Sequence, residues 1–539
     1  MWRVKSLDAI LATAEKKSLH RSLGPVQLTL LGIGAIIGTG IFVLTAAASQ
    51  KAGPGMMLSF VIAGAVCAVA ALCYSELAAM APVSGSAYTY TYAVMGELLA
   101  WCVGWALILE YAVAASAVSV GWSGYVLGLI ENGLGFDWPD LLQAGPTWSM
   151  NGFIPSPDFS SGIINVPAII VALGVTFLLM IGTTESARVN AILVAIKVVA
   201  LTIFIVLTLP VIDTANLSPF APNGLFGQYS GMGIVGAAAS IFFAYVGFDA
   251  VSTAAEETKN PQRNVPIGLI GSLAICTIFY LLVALGAAGA IGAQPVLGAD
   301  GSAVQPGSAA FVAACALPAN GEMLVCSNEA LAHVLRVIGH PAIGNALGTA
   351  ALLALPSVIL MMIYGQTRIF FVMARDGLLP EGLTKIHSKW KTPYIVTLFT
   401  GLAVAIAAAL FPVGQLADIS NSGTLFAFFM VSIAVLMLRV KDPNRHRPFK
   451  TPLVWIIAPL SALGCAFLFW NLPHDAKMVL PIWGGIGLLI YFIYGYRKSH
   501  VARGLVEVPE LDADAPPGPV PSLPGAPSPT DDGRSEKKD

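Results

Sequence analysis

The sequence predicts an all-α membrane protein that crosses the bilayer many times. Of its 539 residues, 56% are apolar and only 11% are Asp, Glu, Lys or Arg, whereas soluble proteins carry roughly 25% charged residues. The apolar residues are gathered into stretches close to the roughly 20 residues that cross a bilayer as a helix. A net charge of −2 offers no basic surface for nucleic acid.

Apolar length predicts twelve transmembrane helices, numbered here as spans one to twelve. They cover residues 26–49, 56–81, 96–130, 163–182, 187–210, 231–255, 266–292, 341–374, 393–411, 415–439, 452–472 and 477–496. The membrane domain is thus 25–498, after a cytoplasmic segment at 1–24. A loop at about 293–340 lies outside, and the tail at 499–539, with eight prolines from Pro509 onward, is predicted to be disordered.

The basic residues predict the orientation. With both termini on one side, that side carries 21 Lys and Arg residues near the span ends, and the other side carries three. Because short loops rich in Lys and Arg stay in the cytoplasm, both termini are predicted to be cytoplasmic and the protein to lie in the plasma or inner membrane. Cys315 and Cys326 then share an external loop, where a disulfide is favoured by an oxidising setting; two free thiols are the alternative.

Span one contains an interruption at Gly38-Thr39-Gly40. Each glycine costs a helix about 1 kcal/mol relative to alanine, and the N–H groups that a break frees suit an anion such as a carboxylate. Close packing of helices through small residues is the alternative.

Span six contains a matching interruption, with Gly247 and Asp249 inside an aromatic run. An aspartate at that depth is expensive and indicates function, unless it only bonds a neighbouring helix. Interrupted helices at corresponding places predict a transporter built from two inverted five-helix repeats, about 26–210 and 231–439, with two further helices within 452–496.

The sequence indicates neither an enzyme nor a metal or cofactor protein. It contains no CxxC, no HExxH and no paired histidines, which are the spacings that hold metals. No nucleophile motif or cofactor fingerprint appears either.

Five segments occur in a distinctive order: GAIIGTGIF at 34–42, YSELAAMAPVSGSAY at 74–88, GFDAVSTAAEETKNPQR at 247–263, RIFFVMARDGLLP at 368–380 and RPFKTP at 447–452. Together they resemble the amino acid–polyamine–organocation transporters, and most closely the bacterial relatives of the cationic amino acid transporter branch. The resemblance covers about 20–500. It implies the leucine-transporter fold and amino acids as substrates.

The resemblance also implies a substrate site at the two breaks. N–H groups around Gly38, Thr39 and Gly40 would hold the substrate carboxylate. The carbonyl groups implied for the substrate ammonium are those near Ile36, Phe243, Ala244 and Val246. The aromatic side chains of Phe243, Tyr245 and Phe248 are candidate walls or gates, with ordinary packing as the alternative.

Lys197 is the basic residue that lies in the middle of a span. It is too central in span five to reach either surface, and burial disfavours its charged form. The resemblance implies that a lysine here takes the place of a sodium ion, bridging span five to the span-one break near Gly38 and to span eight. Transport would then be coupled to protons. A permanent ion pair with an acid such as Glu110 is the alternative.

The acidic residues of the spans are further candidates. Glu110 in span three would hold a proton or contact a cationic substrate side chain, and Asp249 would face the pocket; structural hydrogen bonds are the alternatives. Glu76, Glu256 and Glu257, near cytoplasmic span ends, are predicted gate or interface charges.

The leading functional hypothesis is import of amino acids with protons. The branch favours arginine, lysine and ornithine, with neutral amino acids as the alternative. An exchanger or polyamine carrier on the same fold, and a receptor that binds an amino acid without moving it, are the other hypotheses.

Overall fold

The structure is a computed structural model that describes residues 4, 23–81, 86–136, 138–151, 154–182, 187–227, 231–253, 258–298, 301, 304–306, 308–390, 392–501 and 503. Most of the predicted N-terminal segment, the tail from 504 onward, and Glu256 and Glu257 lie outside the described residues.

The described residues in the first half of the chain are mostly helical and include one hairpin. Its helices are α1 (Pro25–Ile36), α2 (Thr39–Phe42), α3 (Leu44–Ala52), α4 (Met56–Met80), α5 (Ser86–Met95), α6 (Glu97–Leu129), α7 (Val166–Met180) and α8 (Ala187–Thr208). Strands β1 (Thr147–Asn151) and β2 (Ile154–Asp158) pair antiparallel between α6 and α7. The prediction of a helical protein is thus supported, and this short hairpin was not predicted.

The second half repeats the pattern of an interrupted helix followed by long ones. Its helices are α9 (Gly233–Ile241), α10 (Ala250–Thr253), α11 (Pro261–Ile291), α12 (Ala309–Cys315), α13 (Ala330–Val337), α14 (Pro341–Arg375), α15 (Tyr394–Leu410), α16 (Val413–Lys441), α17 (Val454–Trp470), α18 (His474–Ile490) and α19 (Tyr496–Lys498).

The helices suit a bilayer as solvent. Within the described residues, seven helical stretches are long and apolar enough to span a membrane, and five shorter apolar helices accompany them. Large apolar side chains on the outer faces are exposed, such as Ile170, Val206 and Leu463, which in water would form unfavourable patches. The protein is an integral membrane protein, and the count of twelve spans stays a prediction.

One helix and one helix boundary differ from the apolar pattern. Gly96, with φ +99°, ends α5 and starts α6 in a sharp turn that only glycine adopts easily. The start of α6 agrees with the predicted start of span three at 96, whereas α5 lies between the predicted spans two and three and was not predicted. α11 begins at Pro261 rather than near 266, because Pro266 lies in the second turn without ending the helix.

Three long helices pack together in the core of the structure. α6 packs along α14 and α16 over much of its length. The Gln366 amide of α14 donates to the carbonyl of Ile108 at 3.2 Å, and the Ser420 hydroxyl of α16 donates to the carbonyl of Glu110, also at 3.2 Å. These bonds fix the middle of α6 against both neighbours.

The loop before α14, which is predicted to be external, is tied to the end of α3. Cys315 and Cys326 form a disulfide there. The Gln50 amide donates to the carbonyls of Val296 and Val304, both at 2.9 Å, and accepts from the Val296 N–H at 2.9 Å. The loop and the second half of span one are therefore joined.

Candidate functional site

Span one is broken at the residues that the sequence singles out. α1 ends at Ile36, Ile37 and Gly38 are extended, and the helix resumes at Thr39. Helix ends leave backbone groups without intrahelical partners. The break therefore presents carbonyl groups from α1 and N–H groups from α2 at one place.

Span six is broken beside it. α9 passes into a short 3-10 helix over Phe242–Tyr245, Val246 is extended, and helical structure resumes at Ala250. The Phe243 carbonyl accepts from the Val246 N–H at 3.1 Å, so this predicted ligand already has one partner. Its second lone pair is still able to accept.

The two breaks touch through a glycine. A Cβ atom built on Gly40 would lie 2.3 Å from the Cα of Ala244, which no side chain permits. Gly247, with φ +108°, lies equally close to the Ala35 carbonyl group. A Cβ atom added at Gly247 would lie 3.0 Å from that carbonyl oxygen. The glycines thus serve contact between spans one and six as well as interruption of the helices.

Tyr280 of α11 joins the two breaks and was missed by sequence reasoning. Its hydroxyl lies 2.8 Å from the carbonyl oxygen of Ile36 and 2.9 Å from that of Ala244. The hydroxyl has one proton for two acceptors. Two of the four carbonyl groups implied for a substrate ammonium therefore converge on one point.

The three candidate aromatic residues have different surroundings. Tyr245 donates through its hydroxyl to the Phe60 carbonyl of α4 at 3.0 Å. Phe248 packs against Phe428 of α16, with ring centroids 5.1 Å apart. Phe243 keeps 6% of its surface exposed, against 0% for the other two. Phe243 is thus the best placed of the three to meet a ligand.

Lys197 bridges three helices from the centre of α8. Its side chain is buried, and its Nζ donates to the Gly34 carbonyl of α1 at 2.9 Å and to the Ser357 hydroxyl of α14 at 3.4 Å. The contact with span one falls one helical turn before Gly38.

Glu110 and Asp249 are both buried, on α6 and beside the span-six break. Asp249 accepts a hydrogen bond from the Tyr111 hydroxyl at 3.0 Å. The Oε2 atom of Glu110 has no hydrogen-bond partner among the described residues. An unsatisfied buried oxygen is costly and calls for a proton, a water or a ligand.

The two helix breaks are therefore in contact, and the Ile36 and Ala244 carbonyl groups converge there on the Tyr280 hydroxyl. Within the described ranges, no three His, Cys, Asp or Glu side chains are grouped to hold a metal ion.

A family model described as amino acid permease matches residues 23–493. The chain belongs to this family. It is a transporter rather than an enzyme, and the resemblance seen in the sequence motifs is confirmed.

Several relatives of the permease align over most of its length. It is 43% identical to the branched-chain amino acid permease BcaP of Bacillus subtilis over 93% of this chain and 98% of that one. It is 37% identical to the methylthioribose transporter of the same organism, with the same coverage. The cationic amino acid transporter 9 of Arabidopsis thaliana is 35% identical over 90% of this chain and 79% of its own.

Glu76 is the centre of a buried charge cluster at the side of the permease that the basic residues predict to be cytoplasmic. Its carboxylate accepts two hydrogen bonds from Arg439, both at 2.8 Å, and one from the Thr451 N–H at 2.8 Å. Arg447 pairs with it at 3.2 Å. The RPFKTP motif thus fastens the connection between α16 and α17 onto the end of α4.

We expect Glu76→Gln to lower the unfolding free energy by about 3 kcal/mol, because removing one partner of a buried ion pair leaves charge uncompensated. The measurement is the thermal unfolding of the purified permease in detergent. Asp442→Asn is the control, since Asp442 pairs with Arg445 at 3.5 Å and its side chain is 45% exposed. An exposed ion pair of this kind contributes at most about 1 kcal/mol to the unfolding free energy. Equal shifts for the two variants would contradict this account.

The opposite side of the permease, which is predicted to be external, has its own buried ion pair. Lys51 at the end of α3 lies 3.0 Å from Asp418 of α16 and also contacts the Ser240 hydroxyl of α9. The sequence pattern indicated only an external basic residue near a span end, whereas the side chain is 7% exposed. This pair holds the outer parts of spans one, six and ten together.

Proposed function

We propose that this permease imports amino acids with protons by alternating access, on a fold of two inverted five-helix repeats followed by two further helices. The observation that carries the proposal is the contact between two interrupted helices, each the first of its predicted repeat. Backbone groups bind the two parts common to every α-amino acid, and their opposite polarity matches its zwitterion.

In this proposal the substrate carboxylate binds N–H groups at Gly38, Thr39 and Gly40. The ammonium group binds carbonyl groups of Ile36, Phe243, Ala244 and Val246. Because these contacts ignore the substrate side chain, selectivity rests on the surrounding walls, with Phe243 as the nearest aromatic candidate.

Lys197 and Glu110 are the side chains that take up and release protons in this proposal. A protonated Lys197 donates to span one and to α14, as the 2.9 Å and 3.4 Å contacts describe. Loss of that proton removes the ammonium that joins span five to span one, so span one is released to move. Glu110, with its unpartnered oxygen, is a second position able to take a proton.

The test is uptake of each of the twenty radiolabelled amino acids into proteoliposomes, with and without an inward proton gradient. Symport requires accumulation that depends on the gradient, in the absence of sodium and with empty vesicles. An exchanger would transport only into vesicles preloaded with an amino acid. Binding without uptake of any amino acid would support a receptor and refute the proposal.

The preferred side chain has two candidate classes. The unpartnered Glu110 oxygen favours a cationic side chain such as that of arginine. The 43% identity to a branched-chain amino acid permease supports a neutral one. Competition between arginine and leucine for uptake distinguishes the classes.

We expect Tyr280→Phe to raise the substrate concentration for half-maximal uptake about fivefold, the equivalent of about 1 kcal/mol for one hydrogen bond. The hydroxyl contacts both the Ile36 and the Ala244 carbonyl groups. It thereby keeps them close together, so that the substrate ammonium can bind both. Tyr125→Phe is the control, because that hydroxyl donates to the Phe42 carbonyl at 2.8 Å, beyond the break. If Tyr280→Phe leaves the substrate concentration for half-maximal uptake unchanged, Tyr280 does not contribute to substrate binding.

Both termini are proposed to be cytoplasmic, as the 21 basic residues against three indicate. Labelling of introduced cysteines by a membrane-impermeant reagent in intact cells tests this: a cysteine near the chain ends should be protected and one near Asp300 labelled.

A further inference from the structure

Span twelve lies outside the two predicted repeats and is fixed to α6 by tryptophan side chains. Trp105 of α6 and Trp483 of α18 each donate through the indole N–H to the carbonyl of the other at 2.8 Å, and their rings stack with centroids 4.7 Å apart. Trp101 donates to the Gly487 carbonyl at 2.9 Å. These directional bonds hold α18 in one register on α6. The chain that follows α18 therefore starts from a fixed position.

Residues 491–501, the C-terminal strap, follow α18 and lie against the start of α6. The Tyr491 and Ser499 hydroxyls donate to the two carboxylate oxygens of Glu97, at 2.8 Å and 2.5 Å. Glu97 is fully buried, and a buried carboxylate is costly unless its oxygens accept hydrogen bonds. The strap therefore supplies two of the hydrogen bonds that stabilise this carboxylate.

The strap also contacts the chain that follows α14, within the RIFFVMARDGLLP segment. The His500 N–H donates to the Asp376 carbonyl at 3.1 Å. Gly377, with φ +76°, lies against the strap, and a Cβ atom there would be 2.6 Å from the Lys498 carbonyl oxygen. A larger residue would push the strap away. This part of the segment therefore accommodates the strap.

Helix α5 is bound by the same two acidic residues. Its Tyr92 hydroxyl donates to the Glu97 carboxylate at 3.2 Å, and its Tyr88 hydroxyl donates to the Asp376 carboxylate at 2.8 Å. The two tyrosines are four residues apart and so share a face of α5, where their ring centroids are 5.9 Å apart. Glu97 and Asp376 thus each join α5 to the strap.

The opposite face of α5 meets span six beyond its break. The Tyr74 hydroxyl of α4 lies 2.7 Å from the Ser86 hydroxyl of α5 and 3.1 Å from the Ser252 hydroxyl of α10. The Tyr74 ring packs against Tyr90 and Phe248, with centroids 5.6 Å and 6.2 Å away. All five side chains are buried. A substrate that leaves the breaks towards the predicted cytoplasmic side therefore requires α5 and span six to separate.

We propose that the C-terminal strap holds α5 against span six and thereby restrains opening of the substrate path on the predicted cytoplasmic side. The strap acts through Glu97 and Asp376, which position α5. The inference rests on the proposed alternating access, in which this side must open in every cycle. A weaker strap therefore lets α5 leave span six more often, without changing the backbone groups proposed to bind the amino acid.

The experiment is hydrogen–deuterium exchange mass spectrometry of the purified full chain in lipid nanodiscs, without substrate or proton gradient. In Ser499→Ala the strap loses one hydrogen bond to the Glu97 carboxylate. We expect the amides of residues 86–95 and 248–253 to exchange about tenfold faster, because a hydrogen bond to a charged group stabilises by about that factor or more. Segment 248–253 reports on the path itself, since the strap reaches it only through α5.

Ser116→Ala is the matched control. It removes an equally buried hydroxyl from α6, one that donates to the Val404 carbonyl of α15 at 3.1 Å. Ser116 lies about five helical turns from Glu97, so its loss should leave exchange in the two segments within about twofold. Faster exchange confined to the strap in Ser499→Ala would show that the strap only fastens itself, and unchanged exchange everywhere would equally overturn the proposal.

Should Ser499→Ala fail to fold, Tyr491→Phe removes the other strap hydroxyl and must accelerate exchange in the same two segments. Uptake assays separate this inference from the proposed function. Proton-driven uptake by the unmodified protein, together with unaltered exchange in the variants, refutes the strap alone. Altered exchange in a protein that takes up no amino acid refutes the proposed transport instead.

Discussion

Replacing Lys197 by alanine is expected to abolish proton-driven accumulation of substrate in proteoliposomes. The variant has no ammonium to donate to Gly34 and Ser357, so span one is no longer fastened to α8 and α14 in a proton-dependent manner. Under an inward proton gradient, uptake should fall to the level measured with vesicles that contain no protein. The protein should stay folded, because alanine leaves no uncompensated charge in the membrane.

The matched control is Val199→Ala on the same helix. Val199 is 56% exposed on the outer face of α8, so its truncation tests helix perturbation without touching the bridge. Size-exclusion elution and the thermal unfolding midpoint check folding in both variants. Accumulation against a gradient by Lys197→Ala, or a sodium requirement of the unmodified protein, would show that Lys197 is not the coupling residue.

The helix breaks were predictable because they are costly. Glycine and aspartate weaken or strain a helix inside a membrane, so Gly38, Gly40, Gly247 and Asp249 stood out from their apolar surroundings. Lys197 stood out for the same reason. Each of these residues lies at a break or at a bridge between helices in the structure.

The partners of these residues were not predictable from the same signals. Lys197 contacts the Gly34 carbonyl, and a backbone carbonyl looks the same at every position of a sequence. Tyr280 carried no signal either, since a tyrosine in an apolar span usually only packs. Its role depends on two carbonyl groups that meet only after spans one, six and seven have assembled.

Charged pairs between distant segments show the same limit. Glu76 and Arg447 were both noted in motifs, yet nothing in the sequence joins residues separated by most of the chain. The Lys51–Asp418 pair was missed because an external lysine near a span end is ordinarily solvated. Composition predicts where charge is expensive, and only the packing of the helices decides which opposite charge compensates it.

Gly40→Ala is expected to abolish substrate binding and transport. The added methyl group would lie 2.3 Å from the Cα of Ala244, and the Ala244 backbone has no rotamer with which to avoid it. Spans one and six must then separate, which moves the N–H groups around Thr39 away from the span-six carbonyl groups that are proposed to bind the substrate ammonium. The measurements are substrate-induced stabilisation against heat and uptake into proteoliposomes.

Gly38→Ala supplies the control from the same motif. A Cβ atom there would lie 3.5 Å from the nearest Val358 methyl group, which is an ordinary contact, and its φ of −140° is open to any residue. We therefore expect Gly38→Ala to retain substrate binding while Gly40→Ala loses it, with both proteins eluting as folded species. Normal uptake by Gly40→Ala would mean that the two breaks do not touch during transport, and the site would have to be sought elsewhere along spans one and six.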